Sequence, residues 1–324
     1  MKLIVKPLIF CWLLLSLFTQ SLNAQTNYPE RPIRMVVAWP AGGGTDSVAR
    51  IVARYLGERL GQSVVVENRS GASGIIGTEF VARAEPDGYT IQYTVADSHS
   101  INPHVFPNIR FDALADFTPV AMVGSMPNAL IVNPKVSSQT LNEFIQIARE
   151  KPNQLTYGSW GVGSGGHIRM ESFNIFANIK TLHVPYQGSP PAMQDLVAGN
   201  VQMIVTGLLQ LLPLHQSGRV KIIGVGHNER IKAYPDIPTI AETVPGYTVT
   251  GFLGIGAPKD TPAEIVQRLN REIVAVLNEP AIKAKMLELN SKPFTTTPAE
   301  FAKFTAEEAD KWGKVVKAAG VKVE

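Results

Sequence analysis

Hydrophobic residues recur along this chain in two alternating rhythms. Short apolar runs predict strands at Ile33–Val37, Val64–Glu67, Thr90–Val95, Ala129–Asn133, Leu155–Ser159, Thr181–Pro185, Val201–Thr206, Val220–Gly224 and Gly251–Ala257. Between them, apolar positions spaced three and four apart predict helices at Ser47–Leu60, Ile75–Ala84, Leu141–Glu150, His167–Asn178, Pro190–Ala198, Pro262–Leu277 and Pro298–Ala318. In the first helix, Val48, Ile51, Val52, Tyr55, Leu56 and Leu60 make the stripe. Strand and helix alternate throughout, so the chain reads as α/β with parallel sheets wound on both faces.

The N-terminus breaks that rhythm. Met1 to Ala24 carries Lys2 and Lys6, then a run of about 11 largely apolar residues (Leu8 to Phe18), then a polar stretch ending at Ala24. This is the plan of a secretory signal peptide, cleaved near Ala24, and the run is too short to span a bilayer as a helix. Export to the periplasm is the expectation. The single cysteine, Cys11, leaves with that segment, so the mature chain has no disulfide, thiol nucleophile or cysteine metal ligand. Loss of Lys2 and Lys6 takes the formal charge from +3 to +1, which argues against nucleic acid or an anionic membrane surface as partner. The 300 residues after Ala24 exceed what one core usually organises, which points to two lobes.

Two glycine segments carry the candidate chemistry. Trp39-Pro40-Ala41-Gly42-Gly43-Gly44-Thr45-Asp46 joins the first strand to the first helix, with Thr45 or Asp46 the expected N-cap. Glycines let the backbone turn and approach a ligand closely, and first-turn N–H groups point at whatever sits there, so such a segment suits an anion. About 120 residues later, Tyr157 to His167 repeats the plan, with Ser159, Trp160, Gly163, Ser164 and His167 around its turn. Both turns fall at carboxyl ends of strands, where open α/β sheets bind ligands. Ser98 and His99, just past the strand Thr90–Val95, are placed at the same edge.

Catalytic templates fit poorly. Gly161 to Gly166 matches G-x-G-x-x-G, but the strand Thr181–Pro185 ends in Tyr186-Gln187 without the acid a dinucleotide needs, and no lysine completes a phosphate loop. Ser73, Ser164 and Ser189 are not centred in G-x-S-x-G, and the six histidines lack H-E-x-x-H spacing. No cofactor and no metal is expected.

With these residues laid out, the chain resembles the substrate-binding proteins of tripartite tricarboxylate transporters, the Bug-type periplasmic receptors. The resemblance spans essentially the whole mature chain. It rests on the order of Pro29-Glu30-Arg31-Pro32-Ile33, Pro40 to Asp46, Val66-Glu67-Asn68-Arg69 with Gly71 and Gly74, Pro86-Asp87-Gly88-Tyr89, Asp116 to Val120, Gly163 to His167, Val184 to Gly188, Pro191 to Leu196 and Pro235 to Thr239. It implies a type II periplasmic-binding-protein fold: lobe 1 from 25–125 and 250–324, lobe 2 from 126–249, and two crossing segments between them.

It further implies a monomeric, non-enzymatic receptor that closes on a small organic carboxylate, a di- or tricarboxylate or an aromatic acid, and delivers it to inner-membrane permease subunits. The rival readings are a ligand sensor for a membrane kinase and an enzyme with a bilobal cleft. Ligand contacts are carried onto Pro40 to Asp46, onto Ser159 to His167, and onto Tyr186 to Ser189 with Gln187 and Gly188 foremost. Trp39, Asp97, Thr206 and Phe252 depart from the family's usual residues, so the ligand is not copied from a relative.

Overall fold

The computed structural model describes residues 27–208, 211–289 and 291–323; the predicted signal peptide, Cys11 included, lies outside them. The first lobe opens with β1 (Ile33–Val37), α1 (Gly44–Leu60), β2 (Val64–Asn68), α2 (Ile75–Ala82) and β3 (Thr90–Val95), followed by a buried helical segment, Asp97–Ile101, that runs into α3 (Asn102–Val105). β4 (Phe117–Val132) then carries the chain into the second lobe. That lobe contains α4 (Leu141–Glu150), β5 (Thr156–Ser159), α5 (Gly165–Ala177), β6 (Leu182–Pro185), α6 (Ser189–Ala198), β7 (Met203–Gly207), α7 (Leu212–Gln216) and β8 (Lys221–Val225). β9 (Thr250–Pro258) returns to the first lobe, where α8 (Ala263–Asn278), α9 (Pro280–Glu288), β10 (Lys292–Pro293) and α10 (Pro298–Ala319) complete the chain.

The strands form one hydrogen-bonded path, β2-β1-β3-β9-β4-β7-β5-β6. β1 pairs in parallel with β2 and β3, and β5 in parallel with β6 and β7, as βαβ units require. The sheet is mixed, however, where wholly parallel sheets were expected. β9 runs antiparallel to β3 and β4, and β4 antiparallel to β7 and β8. The cause is topological: β4 and β9 carry the chain between lobes in opposite directions and pair along the way, from Phe117 opposite Pro258 to Pro127 opposite Thr250.

Each lobe buries its own apolar layer. Met35, Val37, Val52, Leu56, Tyr93 and Ile255 pack with Leu269 and Ile273 in the first, and Leu130, Val132, Phe144, Tyr157, Phe173 and Val205 in the second. The second core also takes in Ile101, Val105, Trp312 and Val316, residues that the sequence reading groups with the first lobe. Phe301, at the other end of α10, packs on Phe252 with ring centroids 5.9 Å apart. The last helix is therefore rooted in both halves. Among the described residues, no helix is long and apolar enough to cross a membrane.

Candidate functional site

The first glycine segment makes a turn whose strain falls on one residue. Gly42 has φ +83°, whereas Gly43 is extended (φ −76°, ψ 166°) and caps α1 with its backbone only. Neither Thr45 nor Asp46 is the N-cap, because the helix begins earlier than expected, at Gly44. Asp46 sits in the first helical turn and reaches back beyond the cap to accept the Gly42 N–H at 2.9 Å. Its carboxylate also accepts from Arg50 Nε and Asn68 Nδ2, both at 2.9 Å, and Asn68 Nδ2 lies 2.9 Å from the Trp39 carbonyl oxygen as well. Burial opposes ionisation of Asp46, but the hydrogen bonds from Arg50, Gly42 and Asn68 outweigh it and hold the carboxyl below its usual range. The ends of β1 and β2 thus fix a loop that leaves first-turn N–H groups of α1 without intrahelical acceptors.

That loop forms one wall of a cavity of about 830 Å³ between the lobes. Trp39, Pro40, Ala41, Gly42, Gly43, Gly44 and Thr45 line it, as do Trp160, Gln187 and Gly188 across the gap. The indole Nε1–H of Trp39 is buried without a hydrogen-bond partner. The crossing strands supply the floor through Met126, Asn128, Gly251, Phe252 and Leu253. The sequence reading missed Met126 and Asn128 because it began the strand at Ala129, while the long β4 carries them across. It also passed over Ser70 and Ser73, beside Gly71 and Gly74 in the turn after β2, together with Pro190 and Met193 in α6, whereas Ser189 is in the lining as expected. The closely spaced Gly71 and Gly74, both with positive φ, were the available signal.

Seven expected residues lie behind the cavity wall. Asp46 is the brace just described. Ser98 is fully buried and donates to the Val95 carbonyl oxygen at 3.1 Å, so the Nδ1–H of His99 donates to Ser98 Oγ at 2.9 Å. His99 packs edge-on against Phe117, and burial lowers its pKa to about 3. Ser159 is buried and bonded to His183 Nε2 at 2.6 Å, Ser164 caps α5, and Gly163 donates its N–H to His167 Nδ1 at 3.0 Å. Burial holds His167 at about 4, and burial with the neighbouring His167 holds His183 at about 3. These imidazoles are neutral packing groups.

The second glycine cradle is closed from within. Arg169, one turn into α5, pairs with Asp97, and both are buried. Asp97 Oδ2 lies against Gly165, so close that a Cβ there would overlap both the carboxylate and the guanidinium. The first turn of α5 already faces an anion of the protein's own. Asp97 lines the cavity and is the charged residue among its described lining.

An α/β chain of two lobes over a cleft, with a helix N-terminus built into the cleft wall, defines a bilobal solute-binding protein. Residues 48–321 match the TctC family, described as the tripartite tricarboxylate transporter family receptors, and the chain belongs to that family. It is 33% identical over 299 residues to Protein BugT of Bordetella pertussis, covering 92% of each chain. Among solved structures it is similar to a Rhodopseudomonas palustris protein, Rpa4515, with adipate: 35% identity, TM-score 0.85, 91% of this chain and all of that one. It is also similar to MatC of the same organism with bound malate, at 30% identity and TM-score 0.80 over 89% of this chain and all of that one.

Proposed function

We propose that this chain is an exported, non-catalytic receptor that captures a small organic carboxylate between its lobes and hands it to inner-membrane permease subunits. The observation that carries the reading is the wall of the cavity formed by Trp39 to Thr45, where the N-terminus of α1 meets the cleft. Backbone donors and the positive end of a helix favour a carboxylate there, by about 0.3–1 kcal/mol from the dipole in addition to direct hydrogen bonds. Adipate and malate in the two R. palustris proteins support the same ligand class. The lining is mostly glycine, small hydroxyls, amides and aromatics, and the histidines named above point into packing rather than into the cleft. That composition supports binding rather than turnover.

The reading includes periplasmic export after cleavage near Ala24 and a monomer in solution. A thermal-shift screen of the mature protein against mono-, di- and tricarboxylates and aromatic acids tests it. A true ligand at 100 times its Kd stabilises by about 2.7 kcal/mol. A screen in which no carboxylate raises the midpoint, while neutral or cationic solutes do, overturns the reading.

A further inference from the structure

Resting on the carboxylate reading above, we infer that Asp97 makes this cleft selective for ligands with one carboxylate and a neutral, hydrogen-bonding far end, against dicarboxylates of the same length. The N-termini of α1 and α6 line the gap between the lobes and α5 begins beside Trp160, so a dianion that spanned the gap would seat one carboxylate at α1 and the other at α5 or α6. In this chain the seat at α5 is filled. Asp97 lies against Gly165 at the start of α5 and is paired with Arg169, so the dipole of that helix and the one buried cation nearby are already compensated.

The rest of the far wall offers a second carboxylate little in exchange: α6 begins there, at Gly188 and Ser189, but Pro190 and Pro191 take two N–H donors out of its first turn. Trp160, Gln187, Ser189, Met193 and Thr206 are uncharged, and no Lys, Arg or His is found among the described residues of the lining. A ligand carboxylate on that side would lose its hydration, meet no counter-ion and face the Asp97 carboxylate across a space of low dielectric. An amide or hydroxyl at the same position meets groups suited to it. It can donate to Asp97 and exchange hydrogen bonds with Gln187, Ser189 or Thr206, and the aromatic faces of Trp39, Trp160 and Phe252 can cover the body between the two ends.

The test is isothermal titration of the mature protein with matched probes: adipate against its monoamide, and terephthalate against its monoamide. Each pair has one shape and differs by one charge. The wild-type protein is expected to bind at least one monoamide tenfold or more tightly than the matching diacid. Asp97→Asn, which keeps the side chain's shape and leaves the Arg169 charge uncompensated, is expected to shift that ratio at least tenfold toward the diacid. Should Asp97→Asn not fold, the charge-free pair Asp97→Asn with Arg169→Gln replaces it and is expected to shift the ratio in the same direction. A wild-type protein that binds neither monoamide tenfold more tightly than its diacid, or a folded variant with an unchanged ratio, overturns the inference while leaving the carboxylate reading intact. If neither diacid nor monoamide binds and neutral solutes do, both fail together.

Discussion

His167 and His183 stack face to face, ring centroids 3.9 Å apart and planes within 10°. Tyr157 lies beside both, 4.9 Å from His183 and 6.2 Å from His167. Two imidazoles at that distance do not both carry charge, and the bond that His167 accepts requires it neutral. The Gly163 N–H donates into the lone pair of His167 Nδ1, and His183 is bound to Ser159.

The stack predicts a pH dependence with a definite sign. Both pKa values are depressed by burial, to about 4 and about 3, so above the unfolded-state value near 6.5 neither state binds the proton and their stabilisation is complete. Below it the unfolded chain takes up protons that the folded chain refuses. Stability should fall from about pH 6.5 toward pH 4, each such proton adding about 1.4 kcal/mol per pH unit to the slope. Urea midpoints between pH 7.5 and 4.5 measure it. His183→Phe, which preserves the ring stack, should be less stable at pH 7 yet show a shallower slope; an unchanged slope would remove His183 from the account.

The glycine loop makes a positional prediction. Gly42→Ala places a Cβ at φ +83° and should cost about 1–3 kcal/mol. Gly43 is extended, and a Cβ added there would have only the Pro40 carbonyl oxygen within 4 Å, so it should accept alanine within about 0.5 kcal/mol. Denaturant melts of the two variants should therefore separate clearly. Equal losses would mean that the turn is not held as described.

Asp46→Ala removes the acceptor shared by Gly42, Arg50 and Asn68. Leaving buried donors unpaired should destabilise by about 1–3 kcal/mol and weaken carboxylate binding as the loop relaxes. Because the Asp46 carboxyl is held below its usual range, its contribution is complete above the unfolded value near 3.9 and disappears as pH falls through the folded value. A melt that matches wild type at pH 7 would deny Asp46 its role as brace.

Tryptophan fluorescence separates cleft from core. Trp39 and Trp160 line the cavity, while Trp312 is buried in the second lobe's core. An aromatic monocarboxylate such as 4-hydroxybenzoate should quench the signal saturably, and the response should vanish in Trp39→Phe/Trp160→Phe although Trp312 still emits. Quenching that survives in the double variant would place the aromatic ligand elsewhere.

Much of the fold was legible because burial leaves a rhythm. Leu141–Glu150 is recovered residue for residue, and β1 likewise, since an amphipathic stripe and a strand that is apolar at all but Arg34 have one natural solution each. The stretch of β4 from Phe117 to Asn128 was hidden. It contains Pro119 and Pro127, which read as breaks, and these are accommodated where β4 pairs irregularly or changes neighbours between lobes. The helical segment Asp97–Ile101 escaped notice because every residue in it is buried, polar ones included, so no stripe marks it. That omission explains the misplaced Ser98 and His99. Within the site, the first glycine loop was readable from local chemistry alone. The occupation of the second by Asp97 was not, because the two partners are 72 residues apart and meet only in the folded chain.

The crossing pair sets the character of any closing motion. β4 and β9 run side by side from Phe117–Pro258 to Pro127–Thr250, with irregularities near Pro119 and Met122. Interstrand hydrogen bonds lie in the plane of such a ribbon, so it resists shear and stretching there while yielding to bending and twist across its face. The two halves are thereby given a hinge with a single easy direction. Bending along it would carry the loop at Gly42, on the first lobe, toward Trp160, Gln187 and Gly188 on the second, so a ligand is measured against one fixed jaw geometry.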